Sequence, residues 1–117
     1  MLYFEWAGKK VLLPADVPGS IEAELIRDGE WSARLQDINL LKVSHHGSDA
    51  GTSPAWLDHL NPGIAVISVG KDNRWGRPHP DVMERLTAAK ISVFRTDADG
   101  DIVCIIQREG SLRCSPE

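Results

Sequence analysis

The 117-residue chain is short of several things, and each shortage excludes a class of protein. It has only two cysteines, too few for the disulfide framework that supports coreless secreted domains. Its apolar runs last only a few residues, so no segment is expected to span a membrane. No N-terminal stretch joins a basic flank to an apolar core, so no signal peptide is expected. There are no repeats, low-complexity tracts or flexible linkers. Basic residues are also in deficit: 13 Lys plus Arg against 17 Asp plus Glu give a net charge of −4. A polyanion would have to meet a local basic patch or a metal, because the global field repels it. What remains is 42% hydrophobic and 26% charged, the balance of one globular domain.

The hydrophobic pattern predicts an α/β layered domain with a mixed sheet. Leu2–Trp6 and Lys10–Leu13 read as a hairpin turned at Ala7-Gly8. Pro18 to about Asp28 reads as a helix stopped by Gly29. Ile38–Val43 reads as a strand, and Ser53-Pro54 opens a short helix ended by Asn61-Pro62-Gly63. Ile64–Val69 is a continuous apolar run of the fully buried kind. Pro80-Asp81 opens a helix with Val82, Met83 and Leu86 on one face, and Ile91–Phe94 is a further strand. Asp97–Gly100 turns into a closing hairpin, Asp101–Gln107 and Ser111–Cys114, which sets Cys104 opposite Cys114. These two read as packed hydrophobic thiols; the alternative is a cross-strand bridge, which would go with an oxidising compartment.

Three loops follow apolar strands and carry polar groups that the fold does not require: Pro14–Asp16, Ser44–Ser48 and Lys71–His79. His45 and His46 sit at the mouth of a strand before Gly47, and imidazole is the commonest protein ligand for zinc-like ions. The competing reading is one core histidine and one solvated histidine. Asp16 lies just before a helix start, where it can cap the helix or offer a hard oxygen to a divalent cation. Lys71, Arg74 and Arg77 surround Trp75, a combination suited to holding a phosphate and stacking a base or sugar. His79, before Pro80 at a helix start, reads as a neutral donor or base, or as a cap.

Taken together, Leu40–Ser48, Ala65–Asn73, Arg74–Leu86 and Phe94–Gly100 resemble, in order and spacing, the metallo-β-lactamase-like domain at the C-terminus of the ComEC competence proteins. The resemblance implies an αββα sandwich hydrolase with a one- or two-metal site, zinc or manganese, and a nuclease role on incoming DNA. It carries the acidic ligand to Asp16 and the late histidine ligand to His45, with His46 as second choice. It makes His79 and His46 the catalytic candidates, and Lys71, Asn73, Arg74 and Ser48 the substrate contacts.

Two departures qualify these expectations. The His-x-His-x-Asp-His cluster of the family is absent, so the chain resembles the C-terminal half of that domain, with a sheet face left open. Arg77 stands where the family has histidine, replacing a neutral ligand or donor by a fixed charge. The expectation is a weakly held metal and little activity without the N-terminal half. Single- or double-stranded DNA would be the partner in the full-length protein, a soluble domain attached to the bacterial inner membrane, and the open face would favour self-association. The alternatives are a catalytically dead binding module of the same fold, or a hydrolase of a different ester.

Overall fold

The computed structural model describes residues Met1 to Glu117. Leu2–Trp6 (β1) and Lys9–Leu13 (β2) pair antiparallel across the Ala7-Gly8 turn. Gly19–Arg27 (α1) and Gly29–Arg34 (α2) lead to Leu40–Lys42 (β3) and a tight turn at Ser44–Gly47. Pro54–Leu60 (α3), Ile64–Ile67 (β4), Pro80–Ala88 (α4), Ser92–Arg95 (β5) and the single turn Thr96–Asp99 (α5) follow. Ile102–Ile106 (β6) and Leu112–Pro116 (β7) close the chain as a separate hairpin.

The first five strands form one sheet in chain order, with β2 to β5 parallel. Register explains the core. Tyr3, Leu12, Leu41, Ala65 and Val93 stand side by side across all five strands. They face the helical layer, where Trp56, Leu57 and Leu60 of α3 and Val82 and Leu86 of α4 are buried. Val82 and Leu86 are four residues apart, so the helical period puts both on one face. The architecture is therefore α/β, a mixed sheet with helices packed on one side.

The opposite side of the sheet carries the row Phe4, Val11, Leu40, Ile64 and Ser92. The β6–β7 hairpin crosses this side. Its turn presses Gly110 against the Ala7 carbonyl, where a Cβ would stand 2.9 Å from the oxygen, and β7 touches β5. Val11 is buried there although it lies outside the helix-side core. Two strands do not blanket five, so Leu2, Phe4 and Trp6 of β1 stay 55%, 41% and 54% exposed. Ile64 and Val66 are only half-buried for the same reason, whereas the apolar run predicts full burial for β4.

Two further expectations change. α1 does end before Gly29, with Asp28 as its C-cap, but Gly29 also begins α2, because Asp28 Oδ1 accepts hydrogen bonds from the amides of Glu30 and Trp31 at 3.1 and 2.9 Å. The cysteines are bridged. The predicted register does place Cys104 opposite Cys114, and the pair is joined as a disulfide that leaves no free thiol. With so few residues between the two, reduction is expected to lower unfolding stability by roughly 2–3 kcal/mol. Urea unfolding with and without reductant checks this; an unchanged midpoint would show that the hairpin holds without its bridge.

Candidate functional site at the ends of the parallel strands

Chains leaving the carboxyl ends of neighbouring parallel strands converge, and in α/β sheets this is where ligands bind. Here three such exits meet. Asp16 follows β2, His45 and His46 follow β3, and Val69, Gly70, Asn73, Trp75 and Arg77 follow β4. Together they line a cavity of about 320 Å³.

Hydrogen bonds fix the first two exits to each other. The Ser44 hydroxyl, itself buried, lies 3.2 Å from the Ala15 carbonyl and 2.7 Å from that of Val17. The His45 amide donates to the Ala15 carbonyl at 2.9 Å. The backbone is held in an uncommon state to do this. Ala15, His45 and His46 all have left-handed φ, at 62°, 47° and 57°. Such conformations cost of order 1–2 kcal/mol each in side-chain-bearing residues. Asp16 does not cap α1, whose N-cap is Pro18 with no side-chain bond, so its exposed carboxylate is free for the cavity.

The third exit is braced internally and pinned to the second. Asn73 Nδ2 donates to the carbonyls of Gly70 and Arg77, and its Oδ1 accepts from the Arg77 amide at 2.9 Å. Asn73 thus lines the cavity but spends its amide group on the loop. The Val69 amide donates to Thr96 Oγ1 at 2.8 Å, tying the loop's start to the end of β5. Beside it Arg95 donates to Asp97, which holds the Asp97 carboxyl below its ordinary range and raises Arg95. The loop's end rests on Gly47. That residue has φ +81° and accepts from the His79 amide at 2.8 Å, and a Cβ added to it would stand only 2.6 Å from Pro78 Cβ.

The four histidines have distinct duties. His46 Nδ1 lies 2.7 Å from the Ser68 carbonyl, which can only accept, so Nδ1 carries the proton and a neutral ring keeps its lone pair on Nε2. Orientation by a carbonyl is the arrangement found behind metal-ligating imidazoles, and it belongs to His46 rather than His45. His45 is half-buried beside it, with ring centroids 6.4 Å apart. His79 caps α4: its Nδ1 accepts from the Asp81 amide at 3.2 Å, and it does not line the cavity. His59 bonds the Ser32 carbonyl and is structural.

Of the residues expected to contact substrate, Arg74 lies over the Trp75 ring at 4.7 Å, and Lys71 is exposed on the same loop outside the cavity lining. Ser48 is buried, bonded to the Ala50 amide, and also outside the lining. No three His, Cys, Asp or Glu side chains stand close enough to hold a metal ion. Asp16, His45 and His46 share a cavity without forming a complete ligand set.

Sequence reasoning missed Glu22. It is completely buried and its carboxylate accepts from the amides of Thr52 and Ser53, at 2.5 and 3.0 Å. Arg85 donates to the Gly51 and Thr52 carbonyls at 3.3 and 3.4 Å. A glutamate on an amphipathic helix gives no sequence signal that it points inward.

These features define the class: an α/β domain with a cavity at the carboxyl ends of its parallel strands. No family model matches the chain. It is 44% identical over 102 residues to ComE operon protein 3 of Bacillus subtilis, a match covering 87% of this chain and 13% of that protein. It is 38% identical over 81 residues to Recombination protein 2 of Haemophilus influenzae, covering 69% and 10%. It is 30% identical over 103 residues to Competence protein ComA of Neisseria gonorrhoeae, covering 88% and 14%. The chain is thus a relative of the competence and DNA-uptake proteins and spans only about an eighth of the length of the curated relatives it matches.

Three substitutions test the scaffold. Gly47→Ala is expected to cost roughly 1–3 kcal/mol, from the left-handed backbone and the Pro78 clash together. Gly29→Ala, at a helix start with φ outside the left-handed region and nothing within 4 Å, is expected to be near neutral. Glu22→Ala leaves two inward amides unpaired and is expected to cost about 3 kcal/mol or more. Chemical unfolding of the three variants measures all of this, and equal stability of the two glycine variants would remove Gly47 from its assigned role.

Proposed function

We propose that the chain is the substrate-holding part of a metal-dependent nuclease or phosphodiesterase domain of a DNA-uptake protein, inactive by itself. The observation that carries this is the convergence of Asp16, His45, His46, Trp75 and Arg77 on one cavity at three parallel strand ends. Kinship with competence proteins supports DNA as the substrate. In this reading the domain is of the metallo-β-lactamase-like sandwich type, and the N-terminal half that would complete it covers the exposed edge at Leu2, Phe4 and Trp6.

The chain's own residues divide the work. Arg74 and Arg77 supply fixed positive charge beside the cavity, which a phosphodiester needs in a chain of net charge −4. His46 offers a lone pair at Nε2, and Asp16 a free carboxylate. These, with His45, are part of a ligand set whose other donors lie outside this chain. His79 positions the loop through its cap and the hydrogen bond that its backbone amide donates to the Gly47 carbonyl. A second reading, a binding module without chemistry, is favoured by Arg77, whose guanidinium occupies the cavity wall as a permanent cation.

Calorimetry with manganese and zinc tests the proposal, with Asp16→Ala and His45→Ala as controls. No binding tighter than about millimolar is expected, since a structural or catalytic site takes three or four protein ligands. An oligonucleotide incubated with the chain and either metal is expected to remain intact. Micromolar binding abolished in both variants, or cleavage by the wild-type chain, would show a complete site within these residues.

A further inference from the structure

Trp75 is the most exposed large apolar side chain in the protein, at 63%, and no element of the fold uses it. Leaving an indole in water forfeits one of the largest burial gains available to any side chain. Its position is nonetheless specified. The Asn73 brace fixes the loop around it, Pro78 and His79 anchor the loop's end on Gly47, and the ring forms part of the cavity wall. Arg74 lies over the ring, 4.7 Å from its centroid, and Arg77 stands 6.0 Å from it, so the indole carries two cationic neighbours while most of it stays open to solvent. This is the local basic patch that the chain's net negative charge requires of any polyanion site.

We infer that Trp75 is a stacking platform for one unpaired nucleobase, with Arg74 and Arg77 receiving the phosphates on either side of it. The inference rests on the nucleic-acid reading proposed above and adds its strand form. A base has an open π-face only when it is out of a duplex, whereas paired bases are already stacked on their neighbours. The cavity, about 320 Å³, lies at the low end of small-ligand pockets, a size that suits one nucleotide. Trp75 lines the same cavity as Asp16, His45 and His46, the metal-facing groups of the proposed function. The platform therefore selects single strands or frayed ends, and it does so by stacking, with little dependence on which base is presented.

The test uses the 117-residue chain and fluorescence anisotropy with three labelled probes: a short oligothymidylate, an abasic strand of equal length, and a blunt duplex. The oligothymidylate is expected to bind more tightly than the other two. Trp75→Ala is expected to weaken oligothymidylate binding roughly ten-fold while leaving the abasic strand unaffected, and Trp75→Phe to keep most of the affinity. Arg74→Ala is expected to weaken the oligothymidylate and the abasic strand alike, because it contacts phosphate. If Trp75→Ala binds oligothymidylate as well as wild type, or loses the abasic strand equally, the platform is overturned while the nucleic-acid reading stands. If wild type binds none of the three probes, both fall. Because Trp75 is exposed, unfolding midpoints of its variants are expected to match wild type, which separates lost stacking from a lost fold.

Discussion

The buried carboxylate of Glu22 is the constraint on which the site's geometry depends. It accepts from the Thr52 and Ser53 amides at the entry to α3, and Arg85 donates to the carbonyls of Gly51 and Thr52. A loop segment that must be buried next to the core thus finds acceptors for its amides on α1 and a donor for its carbonyls on α4. Such charge-assisted bonds are stronger than neutral ones, and inside the protein they are screened little. Removing the carboxylate would strand two buried amides, which costs more than the bonds themselves contribute. The clamp holds α1 against the chain leaving β3, and the Ser44 bonds to Ala15 and Val17 continue the same seam toward the cavity.

From that seam the cavity follows as a consequence of topology. Parallel strands release their chains at one edge of the sheet, so residues distant in sequence meet there without any special packing. The seam sets the Asp16 turn on the histidine turn, and Gly47 sets the histidine turn on the Trp75 loop. Strain collects where these loops join, in the left-handed Ala15, His45 and His46, and it is sustained because hydrogen bonds on both sides over-determine the backbone. The opposite face of the sheet is organised differently. There a disulfide-closed hairpin substitutes for a helical layer, and the exposed apolar residues of β1 together with Val103 and Ile105 mark where cover is thin. A bridge of this kind persists where thiols are not kept reduced.

A segment corresponding to about an eighth of a competence protein carries one wall of a cavity, with a free carboxylate, an oriented imidazole and two guanidiniums, but no closed set of metal donors. These groups meet although the loops that carry them leave three different strands. The tertiary structure holds all of them ready at one edge.

Most of the element order was legible from hydrophobic period and punctuation. Pro54 and Pro80 mark helix starts, Asn61 takes the left-handed cap that ends α3, and the closing hairpin's register sets Cys104 opposite Cys114. The three loops that line the cavity were also legible, because polar segments after apolar strands have no packing reason to exist. What the residues alone left open depends on distance. Whether two facing cysteines bond and whether Glu22 points inward are settled by neighbours more than a turn away in sequence. Local pattern fixes which face of an element is apolar, since that is a property of a few consecutive residues. The partners of buried polar groups are fixed only when the sheet closes, since a hydrogen bond between residues 22 and 52 has no counterpart in either local sequence.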